Sequence, residues 1–194
     1  MSVDRRRAAL VIFGTIFGAT AYARRPARAD GMGPPEPDDY RGDEYRAPVP
    51  ETLRGARVVT TAEAETIWKR GDAGFIDVLP RPPKPANLPA GTLWRDKPRL
   101  SIPGSLWLPD TGYGALTPAM DAYLRAGLAK ASGGDSRKML VIYCLHECWM
   151  SWNAAKRAVA LGYSNIIWYP DGTDGWEKAG LPLTPATPEP RPAE

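Results

Sequence analysis

Along the chain, short apolar runs of strand length alternate with stretches in which apolar residues return every three or four positions. Arg57-Val58-Val59-Thr60 reads as a short strand. Thr60 or Thr61 then caps a helix running to about Arg70, with Glu63 and Glu65 early in it and Gly71 past its end. Phe75-Ile76-Asp77-Val78-Leu79 is a buried-strand pattern with an acidic residue at its centre. Leu100 to Leu108 reads as a turn feeding a third strand. Thr117-Pro118 opens a helix to about Ala131 that carries Met120, Tyr123, Leu124 and Leu128 on one face. Met139-Leu140-Val141-Ile142-Tyr143 is the next strand, an Ala-rich helix runs from Asn153 to Leu161, and Ser164 to Tyr169 is a further strand before a short last helix. Uniformly apolar strands alternating with helices predict an α/β fold, with a central, mainly parallel sheet and helices on both faces.

Proline and glycine mark what lies outside that pattern. Residues 30–54 read as an extended Pro/Gly-rich arm containing a small repeat, Tyr40-Arg41 and Tyr45-Arg46. Its tyrosines either pin the arm to the domain or meet a partner. The six prolines between Pro80 and Pro98 predict an irregular insertion over 80–98, inside a domain spanning 55–185. The Pro-rich residues 186–194 read as a flexible tail.

Residues 1–29 read as a signal peptide. Arg5-Arg6-Arg7 is a basic start, Ala8 to Ala23 an apolar core short for a bilayer-spanning helix, and Ala27-Arg28-Ala29 a small-x-small cleavage site. Ala21-Tyr22-Ala23 is a second such site, and an uncleaved anchor is the alternative that Arg24, Arg25 and Arg28 leave open. Cleavage after Ala29 predicts a periplasmic protein with no membrane attachment. It also changes the charge. The whole chain is formally +3, but the leader holds six arginines and one aspartate, so the mature chain has 19 basic against 21 acidic residues, a net of −2. No basic stripe survives, which excludes nucleic acid as a partner.

The chemistry concentrates at one crossing from strand to helix. Between Tyr143 and Asn153 stand both cysteines of the chain, Cys144 and Cys148, and its only histidine, His146. In a parallel sheet this loop falls at the carboxyl ends of the strands, where ligands bind. A thiol near a helix N-terminus meets unpaired N–H groups and the positive end of the helix dipole, which favour the thiolate. In an oxidising compartment the pair could also form a disulfide. A four-residue spacing closes almost no loop, so such a bond would be functional more than stabilising. Leu145, His146, Glu147, Trp149, Met150 and Ser151 complete the loop, with Ser151 placed to cap the helix, and Asp77 on a neighbouring strand is a candidate support.

The order of motifs resembles the rhodanese-like domain. It is carried by Asp77-Val78, Ile102-Pro103-Gly104-Ser105, Tyr143-Cys144, Gly162-Tyr163 and the stretch from Gly172 to Trp176. The resemblance implies a three-layer rhodanese-like domain with its working cysteine at the strand end. More narrowly, Tyr40-Arg41, Tyr45 to Pro50, Trp107-Leu108-Pro109 and Cys144 through Lys156 resemble the CXXCW motif protein family associated with PQQ-dependent catabolism. That resemblance implies a setting beside a PQQ-dependent dehydrogenase or its c-type cytochrome. Two departures stand out. Glu147 occupies the usual place of a glycine, and Trp149 or Met150 the usual place of an arginine. A carboxylate in an anion cradle, without a guanidinium to clamp the anion, opposes ordinary thiosulfate sulfur transfer.

Three functional readings follow. In the first, Cys144 is a thiolate nucleophile and Cys148 its resolving partner, giving persulfide transfer or dithiol–disulfide exchange. In the second, Cys144 and Cys148 bind a metal with His146 or Met150, copper being the ion that soft sulfur ligands suit. In the third, the fold is a silent docking module for the dehydrogenase or cytochrome, with Trp149 and Trp152 as an exposed aromatic contact. The bland alternative makes both tryptophans core residues and the cysteines a structural disulfide.

Overall fold

The computed structural model describes residues 33–191 apart from 83–84, 90 and 94–96. The expected signal peptide and its cleavage site lie outside the described residues. Among the described residues, no helix is long and apolar enough to cross a membrane.

In chain order the elements are β1 (Ala56–Val58), α1 (Thr61–Arg70), β2 (Gly74–Asp77), β3 (Arg99–Ser101), β4 (Leu106–Trp107), α2 (Pro118–Ser132), β5 (Leu140–Tyr143), α3 (Trp149–Ala160), β6 (Ile166–Tyr169), α4 (Gly172–Lys178) and β7 (Thr184–Ala186). Five strands form one parallel sheet in the order β1-β6-β5-β2-β4. Its central strands β5 and β6 are buried at every residue, as strands covered on both faces must be. Alternation along β5 splits the core in two. Leu140 and Ile142 pack with Leu124 and Leu128 of α2 and Trp152 of α3, whereas Val141 and Tyr143 pack with Ile67 of α1 and Trp176 of α4. This is a three-layer α/β domain, with α2 and α3 on one face and α1 and α4 on the other.

Local chemistry sets the boundaries. Thr60 caps α1 in a reciprocal capping box with Glu63, and Gly71 closes the helix in the left-handed conformation. Thr117 caps α2 with Pro118 in its first turn. Two expectations need correction. Helix α3 starts at Trp149, four residues before the Ala-rich stretch, because Cys148 and not Ser151 is its N-cap. Ser151 lies inside the helix and donates back to the Cys148 carbonyl at 3.1 Å. The described part of the expected tail, residues 186–191, and the residues just before it are also tied down. Strand β7 pairs antiparallel with β3, the Glu189 N–H donates to the Trp107 carbonyl at 2.9 Å, and the Glu189 carboxylate meets Lys130 at 2.7 Å. The described residues of 80–98 form no helix or strand.

The arm lies along α3, held by buried groups of that helix. Asn153, fully buried, accepts from the Arg41 N–H and donates to the Arg41 and Gly112 carbonyls, each at 2.9 Å. Trp149 and Trp152 donate their indole N–H groups to the Pro48 and Thr52 carbonyls. The Arg157 guanidinium stacks 4.0 Å from the Tyr40 ring centre, and the Tyr45 hydroxyl bridges the Gly42 carbonyl and the Gly114 N–H. Trp149 and Trp152 are therefore 3% and 0% exposed, so the exposed aromatic contact expected from the sequence is not there: the arm covers it. Replacing Asn153 by alanine strands three backbone groups. The expected cost is about 2 kcal/mol, read as a lower denaturant midpoint, with faster proteolysis of the exposed turn Gly42–Glu44.

Candidate functional site

Strand β5 ends at Tyr143, and Cys144 follows at the carboxyl edge of the sheet. Its carbonyl is an anchor point. It accepts from the Thr173 N–H at 3.0 Å, the Thr173 hydroxyl at 3.4 Å and the Arg99 guanidinium at 3.4 Å. Arg99 in turn donates to Asp77 at 2.7 Å, and Asp77 also accepts from the Ser101 hydroxyl at 2.6 Å and the Leu79 N–H at 2.9 Å. Asp77, the candidate support, is thus fully buried inside a structural network. Burial pushes its carboxyl pKa up, against the opposing pull of Arg99.

From this anchor the chain makes a tight turn. Glu147 takes a positive φ of 50°, a conformation glycine adopts at least cost, at the position where the family resemblance expects glycine. Its side chain points to solvent and is half exposed. The His146 N–H donates to Asp174 at 3.1 Å, and its ring lies 3.5 Å from Asp171 and 3.9 Å from Glu147. One side of the turn therefore faces the carboxylates of α4. Cys148 faces the opposite side, where it pairs with Arg46 of the arm in an antiparallel bridge, and the adjoining Trp149 N–H donates to the Tyr45 carbonyl at 2.9 Å.

Both cysteines are free thiols in this structure, the reduced form of the pair. They differ sharply in environment. Cys144 is sealed, at 0% exposure, and burial followed by its neighbour Cys148 pushes its pKa well up. Cys148 moves the other way, to about 6. The largest cause is a hydrogen bond from the Cys144 thiol. The backbone N–H groups of Met150 and Leu145 and the positive charge of Arg46 add to it, and burial opposes. The Cys144 proton has two carbonyls in reach, Cys148 at 3.6 Å and Leu145 at 3.8 Å, and a better acceptor in the Cys148 sulfur once that ionises. At the N-cap of a 12-residue helix, Cys148 also meets the favourable end of the helix dipole. The low-pKa sulfur is thus Cys148, whereas the sequence pointed to Cys144. Neither sulfur meets water in this structure: Cys144 is 0% and Cys148 1% exposed.

The proposed metal set does not come together. His146 turns toward Asp171 and Glu147, and among the described residues no three His, Cys, Asp or Glu side chains are grouped to hold an ion. Met150 is buried at the start of α3, its backbone packed against Gly112. Arg46, Arg99, Gly172 and Thr173 complete the site and were not read as site residues from the sequence. Arg46 had a signal as the second arginine of the Tyr-Arg repeat, and Gly172 and Thr173 had one as the start of the stretch to Trp176; Arg99 had none.

A parallel five-stranded sheet with a cysteine turn leading into a helix at its carboxyl edge defines a rhodanese-like α/β domain. The rhodanese-like domain model matches residues 61–179, and the chain belongs to that family. Similar solved structures include a thiosulfate sulfurtransferase from Pseudomonas aeruginosa, at 17% identity over 73% of this chain and 22% of that one, TM-score 0.48. The polysulfide-sulfur transferase homodimer from Wolinella succinogenes matches at 19% identity over 67% of this chain and 79% of that one, TM-score 0.43. A human single-domain sulfurtransferase matches at 22% identity over 63% of this chain and 96% of that one, TM-score 0.39. The chain thus spans only about a fifth of the Pseudomonas enzyme. No curated protein matches it.

Proposed function

We propose that this is an exported rhodanese-like accessory to PQQ-dependent alcohol oxidation, working by dithiol–disulfide or persulfide chemistry at Cys148 and Cys144. The observation that carries the chemistry is the asymmetry of the pair, a helix-capping sulfur driven toward the thiolate beside a buried sulfur held as thiol. The setting rests on the motif resemblance of the arm and the cysteine turn. In exchange, the Cys148 thiolate attacks a disulfide R–S–S–R′, forming a mixed disulfide and releasing R′S⁻. Cys144 then gives up its proton and attacks the Cys148 sulfur, releasing RS⁻ and leaving a Cys144–Cys148 disulfide. The pair is oxidised by two electrons, the substrate disulfide is reduced, and an external thiol resets the pair.

The covering arm favours a second reading, because both sulfurs are sealed: a binding module for a dehydrogenase or cytochrome, in which the thiols never meet a substrate. Thiolate ultraviolet absorbance against pH, combined with alkylation rate, separates the two. The thiol reading expects a titration midpoint near 6, set by Cys148, and alkylation that follows it. A midpoint at the ordinary cysteine value, or full resistance to alkylation in the native protein, overturns it in favour of the binding module. Intact mass of the protein from its native compartment is expected to show loss of residues 1–29 and a disulfide or persulfide.

A further inference from the structure

Between Cys144 and Ser151 the charged side chains are limited to Glu147 and, when protonated, His146. No arginine of the turn balances a thiolate. The structure brings one in from the arm, outside the segment 61–179 that defines the family match. Arg46 and Cys148 are direct partners in an antiparallel bridge, with the Tyr45–Trp149 hydrogen bond fixing the register beside them. Side chains of directly opposed residues leave the ladder on the same face, with Cβ atoms about 4.5–5.5 Å apart. The Arg46 side chain therefore starts beside the Cys148 sulfur. It is exposed, and among the described residues it makes no hydrogen bond or ion pair. Its counterpart in the repeat differs. Arg41 is tied to Asp43 at 3.4 Å and Glu44 at 2.7 Å and lies over the Trp149 ring. Of the two repeated arginines, one anchors the arm and the other is left free at the sulfur.

We infer that Arg46 is the cation of the thiol site, a positioning residue that keeps Cys148 ionised and biases the site toward negatively charged sulfur reagents arriving along the arm. The inference rests on the thiol reading above. The other ionisable groups around Cys148 set the contrast. Cys144 lies behind it at the strand end, and Tyr45 adjoins it on the arm. His146 and Glu147 share its turn, with Asp171, the residue before α4, and Asp174 within α4 beside His146. The carboxylates line the α4 side of the turn and the guanidinium the arm side, so the sign of charge met by a reagent depends on its route.

The test compares wild type, Arg46→Gln and Arg46→Lys, reading two quantities. One is the midpoint of thiolate absorbance; the other is the ratio of alkylation rates with anionic iodoacetate and neutral iodoacetamide. Arg46→Gln is expected to raise the midpoint by about half to one pH unit and lower the ratio several-fold, with Arg46→Lys restoring most of both. In wild type alone, added salt should lower the ratio, which gives a reading even if a variant fails to fold. A low wild-type midpoint with an unchanged ratio in Arg46→Gln overturns the role of Arg46 and leaves the thiol reading standing. Loss in Arg46→Lys equal to that in Arg46→Gln also overturns it, since that marks shape and not charge. A wild-type midpoint at the ordinary cysteine value removes both.

Discussion

Serine in place of Cys148 is expected to remove the fast alkylation of the native protein, with a loss of about 100-fold at neutral pH. A thiol held well below the ordinary cysteine value is mostly ionised at neutral pH. An ordinary cysteine is ionised only to a few per cent. The thiol that remains, Cys144, is disfavoured further, because burial raises its pKa and no side chain opens it to solvent. Alanine in place of Cys144 should give a different result. The native thiolate signal persists, but its midpoint moves up, because the hydrogen bond from Cys144 is the largest cause lowering Cys148. Stability against pH follows with a definite sign. Folding depresses the pKa of Cys148, so its ionisation adds stability above the ordinary cysteine value, and that stability is lost as pH falls through about 6. Cys144 acts oppositely and costs stability once pH exceeds the ordinary thiol value. Denaturant midpoints from pH 5 to 8 should rise in wild type and stay flatter in Cys148→Ser. Equal alkylation of the two single variants would remove Cys148 as the attacking sulfur.

The layers of the fold were legible because they rest on patterns that survive any environment. The continuous apolar runs became β2, β5 and β6, and the Thr and Gly signals set the ends of α1. The place of the sulfur pair was legible for the same reason, since a strand, a turn and a helix can only put it at the sheet edge. Its polarity was not. Which cysteine ionises depends on where the helix starts, and Trp149-Met150-Ser151-Trp152 carries no helix-start signal. The N-cap fell to Cys148, whose side chain makes no capping hydrogen bond, because the arm took up the first N–H of α3. Accessibility was likewise a tertiary property. Two tryptophans three apart read equally well as an exposed contact or as core, and only the placement of residues 37–52 along α3 decides for core. The tail misled for a related reason. Prolines argue against central strands but are tolerated at edges: Pro185, just before the expected tail, sits in the two-stranded edge pair β3-β7, and that pair reaches Ala186 inside the tail.

A methyl group at Gly172 is expected to damage the site and the fold together. This residue opens α4 with φ at 53°, a region where an alanine is strained. Its Cβ would lie 2.4 Å from the Cys144 carbonyl oxygen and 2.7 Å from the carbonyl carbon, both main-chain atoms that cannot rotate away. Either α4 backs off, breaking the Thr173 N–H to Cys144 bond, or the cysteine turn is pushed toward the arm. The strain and overlap together predict a loss of about 2–5 kcal/mol for Gly172→Ala. The contrast with Gly71 makes the prediction specific. That glycine also has a positive φ, but nothing lies within 4 Å of its would-be Cβ, so Gly71→Ala should cost only the strain, about 1 kcal/mol. Thermal or denaturant unfolding ranks the two variants. Thiolate absorbance adds the functional half, since only Gly172→Ala displaces the carbonyl that anchors the sulfur pair. Its thiolate midpoint should rise above that of wild type while that of Gly71→Ala stays put. Equal stability losses, or an unmoved midpoint in Gly172→Ala, would mean that the close approach of α4 does not hold the cysteine turn.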